Sequence, residues 1–258
     1  MGLKDQFLDE RFDTALTQHP PLPFFHCCEA CDIQAILETA ELQPRHCHVY
    51  GEDLLYTFYG KPAYKPSNTG YDDYESTMPV CFIIGNNAVS SIKRAVAFDS
   101  GAFDMYAPYL HKRMERKEFE ISPNKDAINK MVHYFFSDNQ SYFHGKPKPV
   151  LDHYDEIHFQ IESYHSIIIS KQRQAIDDRK KTIEVQLDYP IQLNSTNIEA
   201  IILPTNLVHS DYVKSIIDPL GIRMIEILNF GNVARDYYVY ILSLVREHLI
   251  KNNLLHGS

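Results

Sequence analysis

From Thr182 to Asp188 the chain reads Thr-Ile-Glu-Val-Gln-Leu-Asp, with apolar Ile183, Val185 and Leu187 alternating with Glu184, Gln186 and Asp188. A period of two is the mark of a β-strand, because successive side chains of a strand point to opposite faces of the sheet. The stretch predicts a sheet with one apolar face, and it leaves Glu184 two fates: solvent, or a polar concave surface. Two unbroken apolar runs, Val80-Cys-Phe-Ile-Ile84 and Ala200-Ile-Ile-Leu203, are short and end at the breakers Gly85 and Pro204, as buried strands do. The stretch Asp53-Leu-Leu-Tyr-Thr-Phe-Tyr-Gly60 adds a strand in which Tyr and Phe interleave.

Helical patterns lie around these strands. Residues 4–17 read as a short amphipathic helix stopped at His19-Pro20-Pro21, after which Leu22 to Cys28 is extended. Asp32 is the expected N-cap of the helix that buries Ile33, Ile36 and Leu37. Ser122-Pro123 opens a helix through Phe136, and Asn232 to Asn252 forms a closing one. Strands early and late with helices between them predict an α+β fold. The expected layout is a single domain over 1–258, with a helical insertion at about 105–176 and a C-terminal α/β extension at about 205–258.

Composition narrows the function. At 258 residues one core suffices. The net charge of -9 opposes loose phosphate binding, which depends on neutralising phosphates. Two basic clusters, His111–Lys117 and Lys171 with Arg173, Arg179, Lys180 and Lys181, read as solvated helix faces. With 17 Tyr, 14 Phe and no Trp, the chain has the means to line a half-wet pocket. Five cysteines, Cys27 and Cys28 adjacent among them, and a polar first twenty residues point to a reducing, cytoplasmic setting. No apolar run is long enough to span a bilayer.

The densest chemistry lies between Phe24 and Tyr64. Cys28-x-x-Cys31 with His46-Cys47-His48 has zinc-like spacing, but Cys31 directly precedes a helix cap and the second pair is His-x-His. No metal is expected, and a zinc-containing nucleic-acid module stays as the competing reading of these residues. The other chemistry in this stretch is that of a nucleotide pocket. There is no phosphate-binding glycine loop, no G-x-S-x-G elbow and no H-E-x-x-H. Asp99-Ser100-Gly101 reads as turn chemistry.

Four segments in order carry a resemblance: "PFFHCCEACDIQAILETAEL", "LLYTFYGKPAY", "VAFDSGAF" and "DDRKKTIEVQL" with its partner "IEAIILP". Together they resemble the bacterial relatives of the ADP-ribosyltransferase fold, DarT-like toxins and phage-defence relatives included. The resemblance implies a mixed split β-sheet core with inserted and C-terminal helices. It implies an NAD-dependent transferase that cleaves the bond to nicotinamide and passes ADP-ribose to a macromolecular acceptor, nucleic acid ahead of protein. It implies NAD as co-substrate, and an antitoxin or immunity protein as a partner.

By the same resemblance His26 bonds the adenine-side ribose, Tyr56 or Tyr59 stacks on nicotinamide, and Lys61, Tyr64 and Arg179 serve the phosphates or brace the site. Glu184 is the implied catalytic carboxylate, with Glu162 open as a partner base. Tyr56 and Tyr59 are three residues apart, so on a strand they face opposite sides and one enters the pocket. The aromatic motif departs from both the DarT-like and the poly-ADP-ribose polymerase patterns, so the acceptor is not inherited. The same residues also suit an NAD glycohydrolase, with water as acceptor, or a binding domain that keeps the fold without turnover.

Overall fold

The computed structural model describes residues 2–6, 19–63, 75–151, 157–170, 179–228 and 234–257. Among these, strands β1 (Phe24–Glu29), β2 (Glu41–Leu42), β3 (Arg45–Cys47), β4 (Glu52–Tyr59), β5 (Pro79–Ile84), β6 (Arg94–Val96) and β7 (Glu120–Ile121) come first. They are followed by β8 (Glu184–Leu187), β9 (Ile191–Gln192), β10 (Ile198–Pro204) and β11 (Arg223–Ile227). The main sheet runs β11-β10-β5-β1-β4-β8-β6-β7, with β3 on β4, while β2 and β9 pair separately. Only β10 and β11 are parallel; the other pairs are antiparallel. The architecture is α+β, as the order of patterns predicts.

The alternation in Thr182–Asp188 sets a central strand, not an edge. Glu184 faces Phe58 across to β4 and Val96 across to β6, and all four residues of β8 are buried. The polar face therefore does not meet solvent. β1 and β4 are registered at two positions, Phe24 with Tyr59 and Phe25 with Phe58, while β1 continues along β5 for six. Beyond Phe25 the ladder between β1 and β4 stops, which divides the sheet into two wings.

Gly60 turns the chain at the end of β4. Its φ of +72° suits glycine, and a Cβ there would meet Leu22 Cδ1 at 2.5 Å and Tyr142 Cε1 at 2.8 Å. The Tyr142 hydroxyl ties the same corner by donating to the Tyr59 carbonyl at 2.8 Å and accepting from the Ile183 amide at 3.0 Å.

Eight helices are described: α1 (Leu3–Gln6), α2 (Ile33–Thr39), α3 (Lys125–Phe136), α4 (Asn139–Phe143), α5 (Phe159–Ile169), α6 (Thr205–Val208), α7 (Asp211–Ile217) and α8 (Ala234–Lys251). The expected first helix is seen only as α1, and the rest of 4–17 lies outside the described residues. Asp32 holds the N-cap position of α2 as predicted, but its side chain makes no capping hydrogen bond to that helix. Asp32 is already helical, and Glu29 caps a 3-10 turn ahead of it in a reciprocal capping box. That frees one oxygen of Asp32 for Arg45, at 2.7 Å.

The stretch 105–176 is not purely helical, because β7 adds an edge strand to the sheet. In the tail, α8 buries Tyr237, Ile241, Val245 and Leu249, the i, i+4 stripe of an amphipathic helix, against β5 and β11. Among the described residues no helix is long and apolar enough to cross a membrane.

Candidate active site

A cavity of about 580 Å³ opens where β1 and β4 part. Its walls include His26 from β1, Tyr56 and Phe58 from β4, Glu184 from β8, Asp99 and Gly101 from the turn after β6, and Asp32 and Arg45 at one side. Direct register places Tyr56 beside Gln186 and Phe58 beside Glu184, so these four side chains share one face of the sheet. Three residues predicted from separate segments, His26, Tyr56 and Glu184, thus reach one space.

Glu184 is held on both oxygens. Oε1 accepts from the Ser100 hydroxyl at 2.8 Å and from the Gln186 amide, and Oε2 accepts from the Ser100 backbone N–H at 3.0 Å. All three donors favour the ionised carboxylate. Burial outweighs them, and the nearby Asp99 charge adds to it, so the Glu184 pKa is raised to about 7. The side chain is thus 1 % exposed and poised between its two states near neutrality.

His26 lies where the ladder ends. Its Nδ1 is 2.8 Å from the Tyr56 carbonyl. A carbonyl only accepts, so Nδ1 carries the proton and neutral His26 presents the Nε2 lone pair. Burial lowers the His26 pKa below its ordinary value, which keeps the ring neutral at pH 7. The side chain therefore replaces one rung of the missing ladder and offers an acceptor for a hydroxyl.

Tyr56 is half-buried, and its hydroxyl meets Cys47 Sγ at 2.7 Å. Burial, with Cys47 and Glu184 nearby, drives its phenol pKa far up, so it is a neutral phenol in the site. Tyr59 points the other way, as the strand period requires. It is fully buried, donates to Asn129 Oδ1 and accepts from the Leu22 amide at 3.0 Å.

Of the other predicted residues, Lys61 is fully buried with its ammonium 5.5 Å from the centre of the Tyr142 ring, away from the cavity walls. Arg179 is also buried and reaches Asp99 at 3.6 Å, while its carbonyl accepts from the Asp99 amide at 3.1 Å. It braces the turn that carries Ser100 and is not one of the cavity walls. Glu162 is exposed on α5, away from the cavity walls. Tyr64, Lys171 and Arg173 lie outside the described residues.

Sequence reasoning missed Ser100, Gln186 and Arg45. The Asp-Ser-Gly turn forms as predicted, with Gly101 N–H donating to Asp99 Oδ1 at 2.8 Å, but Ser100 also grips Glu184. Gln186 was visible as the next residue on the Glu184 face. Arg45, at one side, is the one Lys or Arg among the described cavity walls.

The zinc-like string is divided between environments. Cys47 turns inward to Tyr56, whereas His46 and His48 are exposed and meet edge-on at 5.2 Å between ring centres. Among the described residues no group of three or more His, Cys, Asp or Glu side chains is arranged to hold a metal ion.

Compared with known proteins, the chain matches no family model and no curated sequence.

Proposed function

We propose that the protein is an NAD-dependent ADP-ribosyltransferase acting at this cavity. The observation that carries the reading is the convergence of His26, Tyr56 and a buried Glu184 on one cavity beside the gap in the sheet. Its volume lies within the range of cofactor sites. Tyr56 and Phe58 supply aromatic walls for a flat ring, and His26 Nε2 accepts a ribose hydroxyl. Arg45 meets one phosphate from the side.

In the reaction the bond between the anomeric carbon and the nicotinamide nitrogen breaks, and its electron pair neutralises the pyridinium. Positive charge passes to the ribose as an oxocarbenium-like centre. Ionised Glu184, held by Ser100 and Gln186 in a water-poor site, binds the nicotinamide-ribose hydroxyl and stabilises that charge. The acceptor then adds to the anomeric carbon and releases its proton. No acid is needed for the leaving group, since nicotinamide departs neutral.

The test is nicotinamide release from labelled NAD, with a cell lysate as acceptor source, beside the variant Glu184→Gln. The expected loss in the variant is ~10²–10³-fold. Labelled macromolecule marks a transferase, and free ADP-ribose without it marks a glycohydrolase. If both folded proteins leave NAD intact, the catalytic reading is wrong and a binding domain takes its place.

A further inference from the structure

Glu184 has two flanks. On the β4 side lies the cavity; on the other, β6 brings Arg94 level with Gln186 on the same face of the sheet. Here the Arg94 guanidinium donates to Gln186 and is met by two carboxylates, Glu52 at 2.8 Å and Glu120 at 3.4 Å. Its centre sits 4.0 Å from that of the Tyr50 ring. Arg94 is thus neutralised and structural.

Arg116 is different. It belongs to the basic stretch His111–Lys117, whose pattern reads as a solvated helix face. In the structure 111–115 is not helical, and Arg116 opens a 3-10 turn and points inward. Its guanidinium lies 5.4 Å from the centre of Phe103 and 5.9 Å from that of Tyr50. Among the described residues it forms no ion pair, and its Nε is enclosed without a hydrogen-bond partner. The Tyr50 hydroxyl is likewise enclosed, beside Ser100 and Gln186 and close enough to Glu184 that the carboxylate adds to the effect of burial in raising its pKa. A half-buried cation supported by ring faces and unmatched by a carboxylate is a costly arrangement for a purely structural role. Lys112 and Arg113 of the same stretch are exposed, also without an ion pair among the described residues.

We propose that Arg116, between Tyr50 and Phe103, forms a phosphate subsite on the β6 flank of Glu184, with Lys112 and Arg113 extending it outward. Its occupant is a phosphate of the acceptor, held on the β6 flank while the reacting group enters the cavity past the turn at Asp99 and Gly101. Several cations on one short stretch of a chain with net charge -9 suit successive phosphates better than one carboxylate. The purpose of the subsite rests on the transferase reading, but its test contains no NAD, so each fails separately.

The experiment measures binding of a labelled short single-stranded oligonucleotide as salt is varied, with a nucleoside monophosphate and an acidic peptide of matching charge as competitors. The variants are Arg116→Gln and the exposed double change Lys112→Gln/Arg113→Gln, each checked by thermal melting. The expected result is salt-sensitive binding whose log–log slope shrinks by about 0.7 for each cation lost. Competition by the monophosphate at similar concentration identifies a free nucleotide as the source of the phosphate, and much weaker competition identifies a strand. Equal competition by the peptide overturns the phosphate assignment. Absent binding, or binding unchanged in both variants, overturns the subsite.

Discussion

The carboxylate of Glu184 sets the behaviour expected of the site. The proposed chemistry uses its ionised form, so nicotinamide release should rise with pH through about 7 and then level off. A pH–rate profile checks this, and a profile flat from weakly acid to weakly alkaline pH contradicts it. Ser100→Ala removes one donor to the ionised form, which should carry the midpoint upward by about one pH unit. The same titration affects stability. The folded-state pKa is raised above the ordinary 4.5, so the folded protein retains a proton that the unfolded chain releases. Stability from this group is therefore lost as pH rises from about 4.5 to about 7, and the cost above that window is about 3 kcal/mol. Glu184→Gln should escape it, so the variant gains about 3 kcal/mol relative to the parent between about pH 4 and pH 8. Denaturant unfolding at the two pH values measures that difference.

Among the elements, β4 and β8 show what pattern reading captured and what it did not. The alternation in Thr182–Asp188 announced a strand with Glu184 on its polar face but left open whether that face met solvent, and the three-residue spacing of Tyr56 and Tyr59 put them on opposite faces, as they are. Which tyrosine enters the cavity depended on the pairing of β4 with β8, a contact between segments more than a hundred residues apart. The two hydroxyls should respond differently. Tyr59→Phe strips the Leu22 amide and Asn129 of a partner and should cost about 1–3 kcal/mol in unfolding free energy. Tyr56→Phe keeps the ring and should cost under about 1 kcal/mol with NAD binding little changed, whereas Tyr56→Ala should weaken NAD binding, as calorimetry would detect. Reversed effects would move the pocket to the other face of β4. Lys61 shows the limit of composition. A lysine beside a predicted pocket reads as a phosphate contact, yet the Gly60 corner turns it inward over Tyr142.

Across the molecule, the gap between β1 and β4 and the helix at the C-terminus have different duties. The gap hosts the cavity, while α8 seals β5 and β11 on the far wing. Ile241→Ala, at the centre of the buried stripe of α8, should lower stability by about 2–5 kcal/mol through the space it leaves. Chemical unfolding reads this, and a loss below about half a kcal/mol would mean that α8 is not part of the core. The α+β class, the strands carrying His26, Tyr56 and Glu184, and the helix α2 were legible from local periodicity, because hydrophobic patterning acts over a few neighbouring residues. Ser100 on Glu184, Arg179 on Asp99 and Arg116 between two rings were not legible. Each joins segments distant in the chain, and only the strand order and register bring such side chains within a few ångströms of one another. The elevated Glu184 pKa belongs to the same class, since it arises from burial and Asp99, and neither exists until the sheet has assembled.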